Sequence, residues 1–256
     1  MRKSIYPIAT AVLLVLLWYA AVPVLNVPHY LLPTPTAVVE RVVTDAEFLL
    51  HHTWITTYET LGGFFISVAV GIPLALLIVT SPVIDRALMP WIVLSQTFPK
   101  VALAPLIVVW FGLGIVPKLI VTFLVAFFPI LISTVVGLRS MEREMSELAR
   151  SMQSSVWQTF WYFRLPLALP NIFAGLKVSV AFAVVGAVIA EWVGANEGLG
   201  YLLLTANANL DTPLLFAVLL MLLLLGMVLY YAVEFLEKSL IPWHASIRLL
   251  DVNTTS

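Results

Sequence analysis

Along the 256 residues, long apolar runs alternate with short polar punctuation. A bilayer crossing needs about 20 mainly apolar residues. Six stretches meet or approach that length: 5–25, 57–80, 84–113, 116–138, 168–193 and 213–236. The third is interrupted by Pro90, Pro99 and Pro105. Ser81-Pro82 and Thr212-Pro213 each place a capping hydroxyl before a proline at the first helical position, which predicts where two of the helices begin. Between the first two runs, PTPTAVVERVVTDAEFLLHHTWITTYET predicts a short amphipathic helix at the membrane interface. His51 and His52 are adjacent, so on a helix they point about 100° apart and cannot share a metal; they read as interfacial polar side chains.

The polar interruption between the fourth and fifth runs, about 139–167, has a helical pattern of its own. Met141, Met145, Leu148 and Met152 recur at spacings of four, three and four, one apolar stripe on one helix face. Glu142, Arg143, Glu144, Glu147 and Arg150 occupy the other faces, and Ser140 is a candidate cap for the start. Ser155-Val-Trp-Gln158 fits a capping box and predicts a second short helix through Trp157, Phe160, Trp161 and Phe163, ended by Pro166. The bend between them falls near Gln153-Ser154. A Met-faced stripe suits adaptable docking to a partner; packing on the chain's own helix ends or on the bilayer explains it equally well.

Composition sharpens the class. The chain is 61% hydrophobic and 11% charged, against about 25% charged in an ordinary soluble domain. The expected fold is therefore all-α, a polytopic membrane protein with six transmembrane helices. With the N-terminus inside, the cytoplasmic segments hold Arg2, Lys3, Arg86, Arg139, Arg143, Arg150, Arg164, Lys238 and Arg248, against only Arg41 and Lys118 outside. The positive-inside rule then predicts both termini inside. The basic start followed by an apolar run is read as a retained first helix instead of a cleaved signal. A net charge of −1 gives no basic field for nucleic acid, and the absence of cysteine removes disulfides and thiolate chemistry. No metal site is predicted.

The polar segment resembles the EAA loop of ABC-importer permeases. Glu147, Ala149, Leu165 and Pro166 match that loop in residue and spacing, while Leu148 replaces an alanine and Gln153 stands where a glycine is expected. Glycine serves such a bend by tolerating positive φ, so Gln153 either adopts a costlier conformation or the turn is built differently. PKVALAPLIVVWFGLG (99–114), AEWVGANEGLGYLL (190–203) and HTWITTYETLGGFFISVAVGIPLALL (52–77) are similar to segments of the nitrate/sulfonate/taurine-type subfamily, which also serves thiamine-pyrimidine precursors and riboflavin. The resemblance implies a type I ABC-importer permease core over 57–240. Residues 1–56 then form the first helix plus an extracytoplasmic amphipathic segment, and 241–256 a cytoplasmic tail. It implies a membrane-embedded chain working with two cytoplasmic ATP-binding subunits, a second permease copy and an extracytoplasmic solute-binding protein. Met145, Glu147, Leu148, Ala149, Met152, Gln153, Leu165 and Pro166 become the ATPase-coupling residues. No cofactor is expected on this chain, which carries no G-x-x-x-x-G-K-[ST].

Ionisable groups within spans are functional by default. Lys100 follows Pro99 in the interrupted third run, so Gln96, Phe98, Pro99 and Lys100 are candidates to line the solute path. Lys100 snorkelling, or pairing with Asp85 or a nearby carbonyl, is the alternative. Glu191, Gly198 and Gly200 are candidates for an outer gate, the glycines more than the acid; an interfacial acid before a glycine turn is the plainer reading. An intramembrane hydrolase would need H-E-x-x-H, G-x-S-x-G or a base within the spans, and His29, His51, His52 and His244 all fall outside the predicted ones. A secondary transporter would be expected to show internal repeats, and none is evident. For the solute, a vitamin or vitamin precursor of riboflavin or thiamine-pyrimidine type is favoured; nitrate, taurine or alkylsulfonate is the alternative.

Overall fold

The computed structural model describes residues 2–24, 28 and 31–242; His29 and the tail 243–256, with His244 and Arg248, lie outside the described residues. The chain forms α1 (Arg2–Val24), α2 (Pro35–Thr44), α3 (Ala46–Thr80), α4 (Pro82–Gln96), a 3-10 turn (Lys100–Leu103), α5 (Ala104–Phe111) and α6 (Ile115–Arg139). It continues through α7 (Arg143–Ser151), α8 (Val156–Thr159), a π-helical turn (Phe160–Arg164), α9 (Leu165–Gly194), α10 (Leu199–Ala208) and α11 (Thr212–Leu240). Among the described residues no strand forms.

Among the described residues, four helical segments are long and apolar enough to cross a bilayer: Ala46–Thr80, Ile115–Arg139, Val156–Gly194 and Thr212–Leu240. The α4–α5 pair passes the same test only when taken together and is bent by 89° at its break, where Pro99 withholds a backbone donor. Its path follows from its neighbours. The Thr80 end of α3 packs, through Ile78, near Val135 at the end of α6, whereas Glu59 near the start of α3 meets Lys118 at the start of α6. The two helices therefore run parallel, and the broken pair between them must lead from one end of the bundle to the other. In α1 the apolar stretch is Ala9–Val24, and Trp18 fixes it by donating to the Pro33 carbonyl and packing against Phe216.

Helices α3, α6 and α9 form the heart of the bundle. They approach closely because small residues face the crossing: a Cβ on Gly63 or Gly186 would strike Thr122. Ser67 donates to the Phe123 carbonyl and Ser179 to the Ala126 carbonyl, tying α6 to both neighbours. Most of the apolar core lies between these helices and α10 and α11, with Leu49, Ile130, Val180, Leu199 and Val218 fully enclosed.

Several boundaries differ from those expected. The amphipathic segment is not one interfacial helix: α2 ends at Thr44 with Asp45 as its cap, and the residues after Asp45 form the first three turns of a 35-residue α3 that runs unbroken across residue 56. Thr53 and Thr57 hydroxyls bond back to carbonyls four residues earlier, so no side chain there interrupts the ladder. Ser81 caps α4 as expected, accepting from Ile84 N–H. The cap of α11 is instead Asp211, which accepts from Leu214 N–H and is held by Arg41 of α2 at 3.0 Å. The segment between α9 and α11 contains α10, whose apolar face is buried.

Candidate functional site

The polar segment folds as two short helices joined by a tight bend. Ser140 does not cap α7; it closes the end of α6 by donating to the Gly137 carbonyl, and α7 starts only at Arg143 with Glu142 extended before it. Met141 is thus left outside the helix. Ala149 is the fully buried residue of α7, whereas Glu147, Leu148 and Met152 are exposed, the last two at 48% and 65%. The apolar stripe consequently faces outward, and Met145 is half-buried beside it.

The bend explains how glutamine replaces glycine. Gln153 N–H donates to the Arg150 carbonyl and Ser154 N–H to the Ala149 carbonyl, the paired bonds of a Schellman C-cap. Gln153 occupies its left-handed position at φ 53°; of the two expectations, the costlier conformation is the one adopted. The Ser154 hydroxyl adds a bond to the same Ala149 carbonyl and meets the Thr159 hydroxyl at 3.0 Å. Ser155 then starts α8 with the complete capping box: Gln158 N–H donates to Ser155 Oγ, and Ser155 N–H to Gln158 Oε1.

Pro166 does not end this second helix. The backbone passes through one π-helical turn, in which Leu165 N–H donates to the Phe160 carbonyl five residues back. Pro166 follows directly after this turn as the second residue of α9, and the helix continues through it. Leu165 packs with Leu138, Ala168 and Ile172, so Leu165 and Pro166 sit at the root of the segment and not on its exposed face.

At the α4–α5 break, Gln96, Phe98 and Pro99 are exposed. Lys100 Nζ lies 4.4 Å from the Phe128 ring centroid, a cation–π contact about halfway along α6. It does not pair with Asp85, which binds Arg139 at 2.7 Å.

The gate candidates converge, and the acid proves to be their centre. Glu191 is 1% exposed. Its carboxylate accepts from the Thr56 hydroxyl at 2.7 Å and from Gly200 N–H. Thr56 Oγ1 accepts from Leu199 N–H at 2.8 Å, and His52 Nδ1 accepts from Gly198 N–H at 2.8 Å. The N-terminus of α10 is therefore capped by side chains of α3 and α9, with a carboxylate at its positive end. Gly198 has φ 111°, and a Cβ there would collide with the Glu191 carboxylate; at Gly200 a Cβ would lie 2.8 Å from Glu191 Oε2. One helical turn further along α3, Glu59 accepts from Lys118 Nζ at 2.6 Å, both largely buried.

Sequence reasoning missed His52, Thr56, Glu59 and Lys118. His52 is 5% exposed, and Lys118, counted among the outside bases, pairs with Glu59 across α3 and α6. The spacing 52, 56, 59 places three polar side chains on one helix face, and that was the available signal. These residues lie at the opposite end of the bundle from the bend at Gln153.

The chain matches the family model for the binding-protein-dependent transport system inner membrane component over residues 67–242. It is 37% identical over 242 residues to the formylaminopyrimidine transport permease protein ThiX of Halalkalibacterium halodurans, covering 94% of this chain and 96% of that one. It is 38% identical over 239 residues to the riboflavin transport system permease protein RibX of Chloroflexus aurantiacus, covering 93% and 89%. Against the taurine transport system permease protein TauC of Escherichia coli the identity is 28% over 254 residues, covering 96% and 92%. In fold it resembles an inward-facing structure of the MetNI methionine ABC transporter, with TM-score 0.66 at 18% identity over 75% of this chain and 95% of that one. The chain therefore belongs to the inner-membrane permease components of binding-protein-dependent ABC transport systems.

Proposed function

We propose that this permease carries a vitamin or vitamin precursor of the pyrimidine or flavin type. The observation that carries the reading is the higher identity to the formylaminopyrimidine and riboflavin permeases, 37% and 38%, than to the taurine permease at 28%. The helix break supports it: its single cation is covered by an aromatic ring, and Phe98 stands exposed two residues away, a setting suited to a flat heteroaromatic solute.

In the proposed cycle, two copies of the chain form the path, each with six spans and both termini inside. The exposed face of Glu147, Leu148 and Met152 seats in a cleft of each of two ATP-binding subunits. A binding protein delivers solute at the opposite end, where the Glu191–Gly198–Gly200 cluster holds α10 as the outer gate. Closure of the ATPases moves α7 and α8 and reorients the bundle around the break at Pro99-Lys100.

Uptake into vesicles reconstituted with the complete transporter and its binding protein tests the solute. Riboflavin or a formylaminopyrimidine should accumulate with ATP, and taurine and alkylsulfonates should not. ATP-driven uptake of taurine or a sulfonate alone would replace the vitamin reading with the sulfonate one.

A further inference from the structure

A cavity of about 680 Å³ lies between the α7–α8 elbow and the adjacent ends of α3, α6 and α9. Its apolar wall is formed by side chains such as Ile72, Leu76 and Ile172, and Trp157 and Trp161 stand at its rim, 69% and 47% exposed. Among the described residues, two guanidinium groups, Arg150 and Arg164, line it and no carboxylate does. Two buried polar atoms on its lining lack a hydrogen-bond partner: Arg164 Nε, and Thr134 Oγ1 on a residue that is 0% exposed. Buried polar groups are nearly always satisfied, so these two atoms suit a polar ligand group in the cavity. Arg164 also borders a smaller cavity of about 310 Å³ that contains Asp85, but Asp85 is engaged by Arg139.

We infer that this cavity binds one anionic phospholipid from the leaflet facing the polar segment. The phosphate completes Arg164 and Arg150, a headgroup oxygen accepts from the Thr134 hydroxyl, and the first acyl carbons lie along Leu76 and Ile172. Each element has its physical reason: basic pockets between transmembrane helices select anionic headgroups, guanidinium groups bind phosphate bidentately, and tryptophan favours the headgroup level. A lipid seated there is wedged between the elbow and the bundle, and so sets the rest position of α7 and α8.

Native mass spectrometry of the assembled transporter, with equimolar dioleoyl phosphatidylglycerol and dioleoyl phosphatidylcholine in mixed micelles, provides the test. One phosphatidylglycerol per permease chain should be retained over phosphatidylcholine, by about fivefold for each guanidinium involved. Arg164→Gln should lower that preference by about fivefold. Leu76→Trp, which fills the cavity from α3 and leaves both arginines in place, should displace the lipid as well, so the inference does not depend on one variant folding. Millimolar glycerol phosphate should not compete. Equal retention of the two lipids, or unchanged retention in Leu76→Trp, overturns the inference. So does displacement by glycerol phosphate, which would mark a free-anion site. Lipid bound to the isolated chain but absent from the assembly also overturns it, because a partner subunit would then fill the cavity.

Discussion

Gln153 shows how a side chain can occupy a glycine position when its neighbours complete the hydrogen bonds. The left-handed region costs a non-glycine residue about 1–2 kcal/mol, and the cost is borne by the two Schellman bonds and the Ser154 hydroxyl. Gln153→Gly should therefore raise the stability of the detergent-solubilised protein by roughly 0.5–1 kcal/mol after the entropy of the freer unfolded chain is counted, read as a higher Tm; a lower Tm would contradict the bend as described. Gly198 is the opposite case, where no side chain can be accommodated. Gly198→Ala should cost roughly 1–3 kcal/mol and expose α10 to faster hydrogen exchange, since the added methyl group meets the Glu191 carboxylate. Unchanged exchange in α10 would show that Glu191 does not hold it.

Among the elements, those with local signals were legible and those made by distant contacts were not. The capping box Ser155/Gln158, the Ser81 cap and the bend at Gln153 all rest on bonds spanning a few residues, and each was readable in order. Pro166 misled because proline usually closes a helix, and the π turn that re-phases the backbone has no residue signature. His52, Thr56 and Glu191 were scattered because their partners lie 135 to 146 residues apart in sequence. Glu59 and Lys118 join α3 to α6 in the same way. Lys118→Met should destabilise by about 3–5 kcal/mol, leaving a buried carboxylate unpaired, and adding Glu59→Leu should recover most of the loss in thermal unfolding. If the double variant is no more stable than the single one, the pair is not coupled as the geometry requires. On the exposed face of α7, Glu147→Arg should abolish association with the ATP-binding subunit while membrane insertion is retained, as read by pull-down from solubilised membranes. Normal binding and transport would remove α7 from the coupling role.

At the scale of the whole molecule, the all-α membrane fold was legible from hydropathy alone, because a chain with 11% charged residues cannot cover a water-facing surface. The number of crossings was less so: the α4–α5 pair becomes a single broken path only once α3 and α6 are seen to run parallel. As a multi-pass permease subunit of the cell membrane, the chain has no ATPase site of its own, and its partners are ATP-binding subunits and a solute-binding protein. Affinity purification of the tagged permease should recover the ATP-binding subunit in a 2:2 complex, by light scattering on the eluted particle. A stable 1:1 particle would reject the homodimeric assembly.

The π turn at Phe160–Arg164 makes α8 and α9 one uninterrupted rod of 39 residues, Val156–Gly194. At 1.5 Å per residue that is about 58 Å. Its near end carries the Ser155 elbow, and its far end carries Glu191. Because the helix is continuous from end to end, a displacement of one end carries to the other. The carboxylate that holds α10 thus belongs to the same continuous helix whose opposite end adjoins the Ser155 elbow, so a displacement of the elbow has an unbroken backbone path to Glu191.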